Sequence, residues 1–140
     1  MSKWAHLKDF RIVRLNAAMY PIGAAEDSCY RHYGLEPLQV EATTPEEIIP
    51  HVATCDAVLV IAAALPLPVV DALERCRMIS RLGNGTDKID VAAAAERGIV
   101  VSNAPFFCVE EMSDHIMALL LALAFELEEA QPFQCLGGVH

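Results

Sequence analysis

Five short apolar runs recur along the chain, and segments carrying helix start or stop signals separate them. This alternation constrains the fold more than any other feature. The runs fall at residues 11–15, 38–40, 56–61, 78–82 and 99–102. The clearest, Asp56-Ala57-Val58-Leu59-Val60-Ile61, lacks the polar alternation of a half-exposed strand. It predicts a strand covered on both faces, as in parallel sheets whose crossover helices lie above and below. At 140 residues with 54% hydrophobic content, the chain has room for one such domain and enough apolar surface to fill it. The expectation is an α/β fold, a flavodoxin-like doubly wound parallel sheet of five strands, followed by a long apolar C-terminal helix.

The intervening segments carry their own punctuation. A helix over 26–33 is stopped by Gly34, a residue suited to the left-handed cap position. Thr44-Pro45-Glu46-Glu47 places Thr at the N-cap, Pro at the first helical position and Glu two positions later, which is a capping box. A short helix is expected over 68–74, and another over 91–97 between Asp90 as its cap and Gly98 as its stop. The last helix should run over 109–130 and end before Pro132. Met112, Ile116, Leu120, Leu123 and Leu127 form one stripe on it, and Met117, Leu121, Ala124 and Phe125 widen the apolar surface. A helix this apolar needs cover on more than one side. The expected organisation is a sheet domain over 1–108, a crossover and dimerisation helix over 109–130, and a tail over 131–140. A homodimer would pair through that helix.

Charge narrows the partners. A net charge of −9 and a pI near 4.9 exclude the basic surface that nucleic acid demands. The five cysteines, Cys29, Cys55, Cys76, Cys108 and Cys135, show neither zinc-ligand spacing nor the density of a secreted disulfide scaffold. They read as reduced thiols, and no metal is expected. The N-terminus has no signal-like apolar stretch, and the longest apolar run, 116–125, is about half a membrane span. The expected setting is cytoplasmic, away from membranes.

The segment richest in chemistry is Arg81-Leu82-Gly83-Asn84-Gly85-Thr86-Asp87-Lys88-Ile89-Asp90. It follows the fourth strand, and open α/β sheets bind ligands at the carboxyl ends of their strands. Paired glycines let the backbone bend and present successive N–H groups to an anion. A small carboxylate suits such a nest better than a phosphate chain, although two glycines also serve any tight βα turn. Arg75, Arg77, Arg81, Lys88 and Arg97 cluster around it, half of the 10 basic residues in the chain. A dinucleotide fingerprint is a poor match: Lys88 stands where the third glycine belongs, and Asn103 where the ribose-binding acid belongs. There is no Walker sequence. Asn16-Ala17-Ala18-Met19-Tyr20 offers no hydroxyl cradle for a flavin phosphate, and Ile61-Ala62-Ala63 lacks a receiver domain's phosphoacceptor Asp.

Four submotifs in order resemble the D-isomer-specific 2-hydroxyacid dehydrogenases. They are Arg81-x-Gly83-x-Gly85-x-Asp87-x-Ile89-Asp90, Ala93-Ala94 with Gly98-Ile99-x-Val101, Asn103-x-Pro105, and Glu110-Glu111-Met112-Ser113-Asp114-His115. Cys108-Val109-Glu110-Glu111 is most similar to the branch holding phosphoglycerate dehydrogenases and C-terminal-binding proteins. The resemblance implies the substrate domain of a two-domain NAD(H) enzyme that interconverts 2-hydroxy and 2-keto acids. It assigns substrate binding to the main-chain N–H groups of Asn84 and Gly85. It also implicates Phe107, at a position where some members carry a pocket Tyr. The family's catalytic Arg, Glu and His and its nucleotide loop lie downstream of the matching segment. These 140 residues are therefore expected to hold no catalytic residue and no cofactor site of their own, and to be inactive alone. The alternative is a small-carboxylate-binding or regulatory module that pairs with itself or with a full-length homologue.

Other tempting residues have plainer readings. His115 and Asp114 are adjacent on a helix and so point about 100° apart. Asp90 serves as a cap and Asp87 as a turn residue. Glu126, Glu128 and Glu129 form a solvated helix end.

Overall fold

The computed structural model describes Leu7 and residues 9–125. It divides into two compact units, Met1–Pro105 and Phe106–His140.

In the first unit, β1 (Ile12–Leu15), α1 (Ala24–Tyr33), β2 (Leu38–Val40), α2 (Pro45–Val52), β3 (Ala57–Val60), α3 (Leu67–Asp71), β4 (Met78–Arg81), α4 (Val91–Glu96) and β5 (Val100–Ser102) alternate without exception. The five strands form one parallel sheet in the order β2-β1-β3-β4-β5. Strand order reverses at β1, which lies between β2 and β3, and so creates the topological switch point of an open α/β sheet.

The caps act as the sequence implies. The Thr44 side chain accepts from the Glu47 N–H, and the Glu47 carboxylate accepts from the Thr44 N–H, closing the capping box. Hydrogen bonds from the Thr43 and Thr44 amides hold the Glu47 carboxyl below its usual range. Gly34 ends α1 at φ 70°, and its N–H returns to the Arg31 carbonyl. Pro50 lies within α2, two residues before its end.

One face of the sheet carries the apolar core. Val13, Leu15, Val58, Val60 and Ile79 meet Ile48 and Val52 of α2, Val69 and Val70 of α3, and Ala93 and Ala94 of α4. Successive residues of a strand point to opposite faces, so Arg14 points away from that cluster. It is completely buried and pairs with Glu26 of α1 at 3.2 Å, which places α1 on the other face. Tyr30, one turn farther along α1, donates to the same carboxylate at 2.7 Å. Burial and the Glu26 carboxylate together push the Tyr30 phenol upward.

Asp56, just ahead of β3, is a second buried charge. It accepts from the Arg11 N–H at 2.8 Å and from the Arg75 guanidinium at 2.7 Å.

In the second unit, α5 (Val109–Ala124) follows Cys108, whose φ is 56°. No residue of α5 is buried; Met112, Ile116, Leu120 and Leu123 are each more than half exposed. The expected continuation to residue 130, including Leu127, Glu126, Glu128 and Glu129, and the 131–140 tail lie outside the described residues.

Candidate functional site

The carboxyl edge of the sheet is organised first by Asn16. Directly after β1, it adopts φ 59°, a left-handed conformation that Asn tolerates better than most residues. Its side chain donates to the Ala42 carbonyl beyond β2 at 2.9 Å and accepts from the Ala63 N–H beyond β3 at 2.7 Å. One buried amide therefore ties together the segments that leave three adjacent strands.

The glycine loop leaves β4 on the same edge. Its first residue extends the ladder, with the Leu82 N–H on the Val60 carbonyl at 2.9 Å. Its returning limb is zipped to the segment after β3: Leu65 N–H to Lys88 carbonyl at 2.8 Å, then Asp90 N–H to Leu65 carbonyl at 2.9 Å. Lys88 adds its ammonium to the Ala62 carbonyl at 3.3 Å. The outgoing limb is held by residues just past β5. Ala104 N–H donates to the Gly83 carbonyl at 2.9 Å, and the Asn103 side chain to the Asn84 carbonyl at 2.7 Å.

Those two bonds aim the loop's amides. In a trans peptide the C=O and the following N–H point in opposite directions, and the described chain contains no cis bond. The Asn84 N–H shares a peptide plane with the Gly83 carbonyl, and the Gly85 N–H shares one with the Asn84 carbonyl. Because residues 103 and 104 take both carbonyls, both N–H groups face away from that side. Asn84 and Gly85 are exposed, and among the described residues neither N–H meets an acceptor.

Backbone conformation favours glycine at Gly83, whose φ is 158°, and a charged side-chain end lies close to each glycine. A Cβ on Gly83 would lie 2.6 Å from Nη1 of Arg81, whose guanidinium folds across the backbone and donates to the Leu82 carbonyl at 2.8 Å. A Cβ on Gly85 would lie 2.7 Å from a carboxylate oxygen of Asp87. The loop thus has a cation beside Gly83 and an anion beside Gly85. An N–H pair of this kind holds one carboxylate by charge-assisted hydrogen bonds and supplies no acid, base or nucleophile.

The same geometry does not fit a dinucleotide. The glycines follow the fourth strand of the sheet, and Lys88 fills the third glycine's place with its ammonium already engaged. Helix α4 starts only at Val91, and its Ala93 N–H is taken by the Asp90 cap at 3.0 Å. Asp90 is thereby a cap and Asp87 a turn residue, and they have separate roles.

Phe107 belongs to the second unit, in the turn before α5, and is half exposed. His115 and Asp114 are exposed on α5, and no hydrogen bond or ion pair joins them. The basic residues near the loop are largely committed: Arg75 to Asp56, and Arg97 to the Leu73 carbonyl at 2.9 Å. Sequence reasoning missed Asn103 and Ala104 as the clamp that aims the amides, although Asn103-x-Pro105 stood among the quoted submotifs. It also missed Asn16, which carries no local signal beyond its place at a strand end.

Residues 17–131, which contain the whole loop and its clamp, match the family model described as D-isomer specific 2-hydroxyacid dehydrogenase, catalytic domain. The chain belongs to this family. Among curated relatives it is 34% identical over 111 residues to a D-3-phosphoglycerate dehydrogenase of Archaeoglobus fulgidus, covering 79% of this chain and 21% of that protein. It is 33% identical over 104 residues to a glyoxylate reductase of Korarchaeum cryptofilum, covering 73% of this chain and 31% of that one. Among solved structures, an NADPH-dependent glyoxylate/hydroxypyruvate reductase of Sinorhizobium meliloti, in complex with NADP and malonate, superposes with a TM-score of 0.65. That likeness is at 27% identity and covers 86% of this chain and 37% of the other. The NAD+-bound 3-phosphoglycerate dehydrogenase of Entamoeba histolytica shares the fold, with a TM-score of 0.67 at 23% identity over 81% of this chain and 38% of that one. This 2-hydroxyacid dehydrogenase family chain thus spans between about a fifth and two fifths of the relatives it matches. Among its described residues, no helix is long and apolar enough to cross a membrane.

Proposed function

We propose that this chain is a substrate-binding domain of the 2-hydroxyacid dehydrogenase type, which holds the carboxylate of a small 2-hydroxy or 2-keto acid on the N–H groups of Asn84 and Gly85. The observation that carries this reading is the pair of consecutive outward amides, fixed in direction because Ala104 and Asn103 occupy the carbonyls behind them. Charge-assisted hydrogen bonds of that kind are each worth about 1.5–3 kcal/mol. By the family resemblance, Phe107 is a separate substrate-contact candidate, with an apolar ring and no hydroxyl. On this reading the 140 residues bind the acid but do not transfer hydride unaided, because the glycine loop after β4 suits a carboxylate and does not fit a dinucleotide. NAD, which such enzymes use, is held elsewhere in the functional assembly. Two copies associate through the apolar face of α5, and the protein works in the cytoplasm.

The test uses the 140-residue protein with glyoxylate, pyruvate and hydroxypyruvate. Thermal shift should rise with acid concentration, since a ligand at a hundred times its Kd stabilises by about 2.7 kcal/mol. NADH oxidation should stay at the buffer rate. Absence of any shift with every acid overturns the binding role, and turnover overturns the division of labour.

A further inference from the structure

Two cysteines that the glycine loop does not use lie at the opposite, amino-terminal edge of the sheet. Cys55 precedes β3 and Cys76 precedes β4, each two residues ahead of the first register pair, Ala57 opposite Met78. The pairing continues backward beyond the strand ends, since the Arg77 N–H donates to the Asp56 carbonyl at 2.9 Å. One further step sets Cys55 opposite Cys76 on the same face. Neighbouring strands lie about 4.8 Å apart, within the Cα separation of about 4.4–6.8 Å that a disulfide spans. Both side chains belong to one core cluster, and both are free thiols.

We infer that Cys55 and Cys76 form a redox-active pair that closes to an intramolecular disulfide when a small disulfide oxidant, of the oxidised glutathione type, reaches Cys76. Their environments divide the roles. Cys76 is 8% exposed and Cys55 is 0% exposed. The contact between the thiols raises Cys55, with burial adding to the effect, and lowers Cys76. Cys76 is therefore the nucleophile and Cys55 the resolving thiol. Both lie in connections, with Cys76 in the 72–77 segment between α3 and β4, so local opening there admits the oxidant without dismantling a strand.

In the first step the Cys76 thiolate attacks one sulfur of the oxidant. A protein–glutathione S–S bond forms, the oxidant's S–S bond breaks, and one glutathione thiolate leaves. In the second step the Cys55 thiolate attacks the Cys76 sulfur and expels the second glutathione thiolate. The two cysteines lose two protons and two electrons, and the oxidant is reduced to two thiols. The bond would tie the α2–β3 connection to the α3–β4 connection.

The experiment incubates the folded protein with oxidised glutathione, blocks remaining thiols with N-ethylmaleimide, and maps tryptic peptides. Trypsin cuts after Arg75 and Arg77, so a closed pair leaves the dipeptide Cys76-Arg77 attached to the 32–75 peptide. That species should dominate in the wild-type protein and vanish on reduction. Cys55→Ser should accumulate a stable glutathione adduct on Cys76, and Cys76→Ser should leave Cys55 unmodified. Three wild-type results would overturn the inference: both cysteines fully alkylated after oxidation, a persistent glutathione adduct on Cys76, or Cys76 joined to any other cysteine. If either variant loses its native circular dichroism, the wild-type map decides alone.

Discussion

The side-chain amide of Asn103 donates to the main-chain carbonyl of Asn84 at 2.7 Å, linking the segment after β5 to the loop after β4. Through the peptide plane, this bond decides where the Gly85 N–H points. Asn103→Ala should weaken small-acid binding about fivefold to tenfold, which corresponds to roughly 1 kcal/mol. Global stability should change by less than about 1 kcal/mol, because the bond is exposed. Titration calorimetry with pyruvate alongside urea denaturation separates the two effects. Unchanged affinity would show that the loop holds its direction without the clamp.

Asn16 makes a contrasting case, since its bonds are buried. Asn16→Ala removes the partners of the Ala42 carbonyl and the Ala63 N–H and also places alanine at a positive φ. Each unsatisfied buried group costs about 1–3 kcal/mol, so equilibrium unfolding should show a loss of about 3 kcal/mol or more. A loss below about 1 kcal/mol would mean that water replaces the side chain readily.

Arg14 and Glu26 predict an asymmetry between two substitutions. Glu26→Ala strands a fully buried guanidinium and should cost about 3–5 kcal/mol. Arg14→Met removes the charge together with its desolvation cost, and with it an Nη1 that has no hydrogen-bond partner. It should be milder by at least about 1 kcal/mol. Urea midpoints compare them directly, and equal losses would contradict a desolvation penalty at this position.

Asp56 makes stability depend on pH. Burial pushes its carboxyl up, but the Arg11 N–H and the Arg75 guanidinium outweigh that effect, and the group titrates below the usual Asp range. A depressed folded-state pKa gives stability that is fully present above the unfolded value of about 3.9 and is lost as pH falls through the folded value. Wild-type urea midpoints should therefore fall below about pH 4 more steeply than those of Asp56→Asn. Parallel curves would remove Asp56 from the account.

Helix α5 exposes Met112, Ile116, Leu120 and Leu123 along one stripe. If two copies share this face, light scattering should report a dimer, and Leu120→Glu should shift it to monomer or unfold it. A wild-type monomer with α5 intact would overturn the self-association proposal.

The alternation of elements was legible in the residues because each signal is local. A capping box at Thr44 and Glu47, a left-handed stop at Gly34 and an apolar run through Val58 act within one turn or one strand, where neighbours along the chain decide the energy. The glycine loop was legible for the same reason, since a tight bend after a strand favours glycine through local backbone conformation, as at Gly83 with its φ of 158°. Where strand ends differ, the sequence reading is one residue longer, as at Arg11 and Leu82, which still hydrogen-bond to the neighbouring strand segment just past the assigned ends.

What the sequence determined by itself was a parallel α/β sheet with a glycine bend after its fourth strand. Only tertiary structure decided that Asn103 aims the bend, that Asn16 ties three strand exits, and that Arg14 is buried against α1. Tertiary structure also set Cys55 beside Cys76. These partners lie between 12 and 47 positions apart. Folding brings them within hydrogen-bonding or packing distance, and no window of the chain records how strands will be ordered in a sheet.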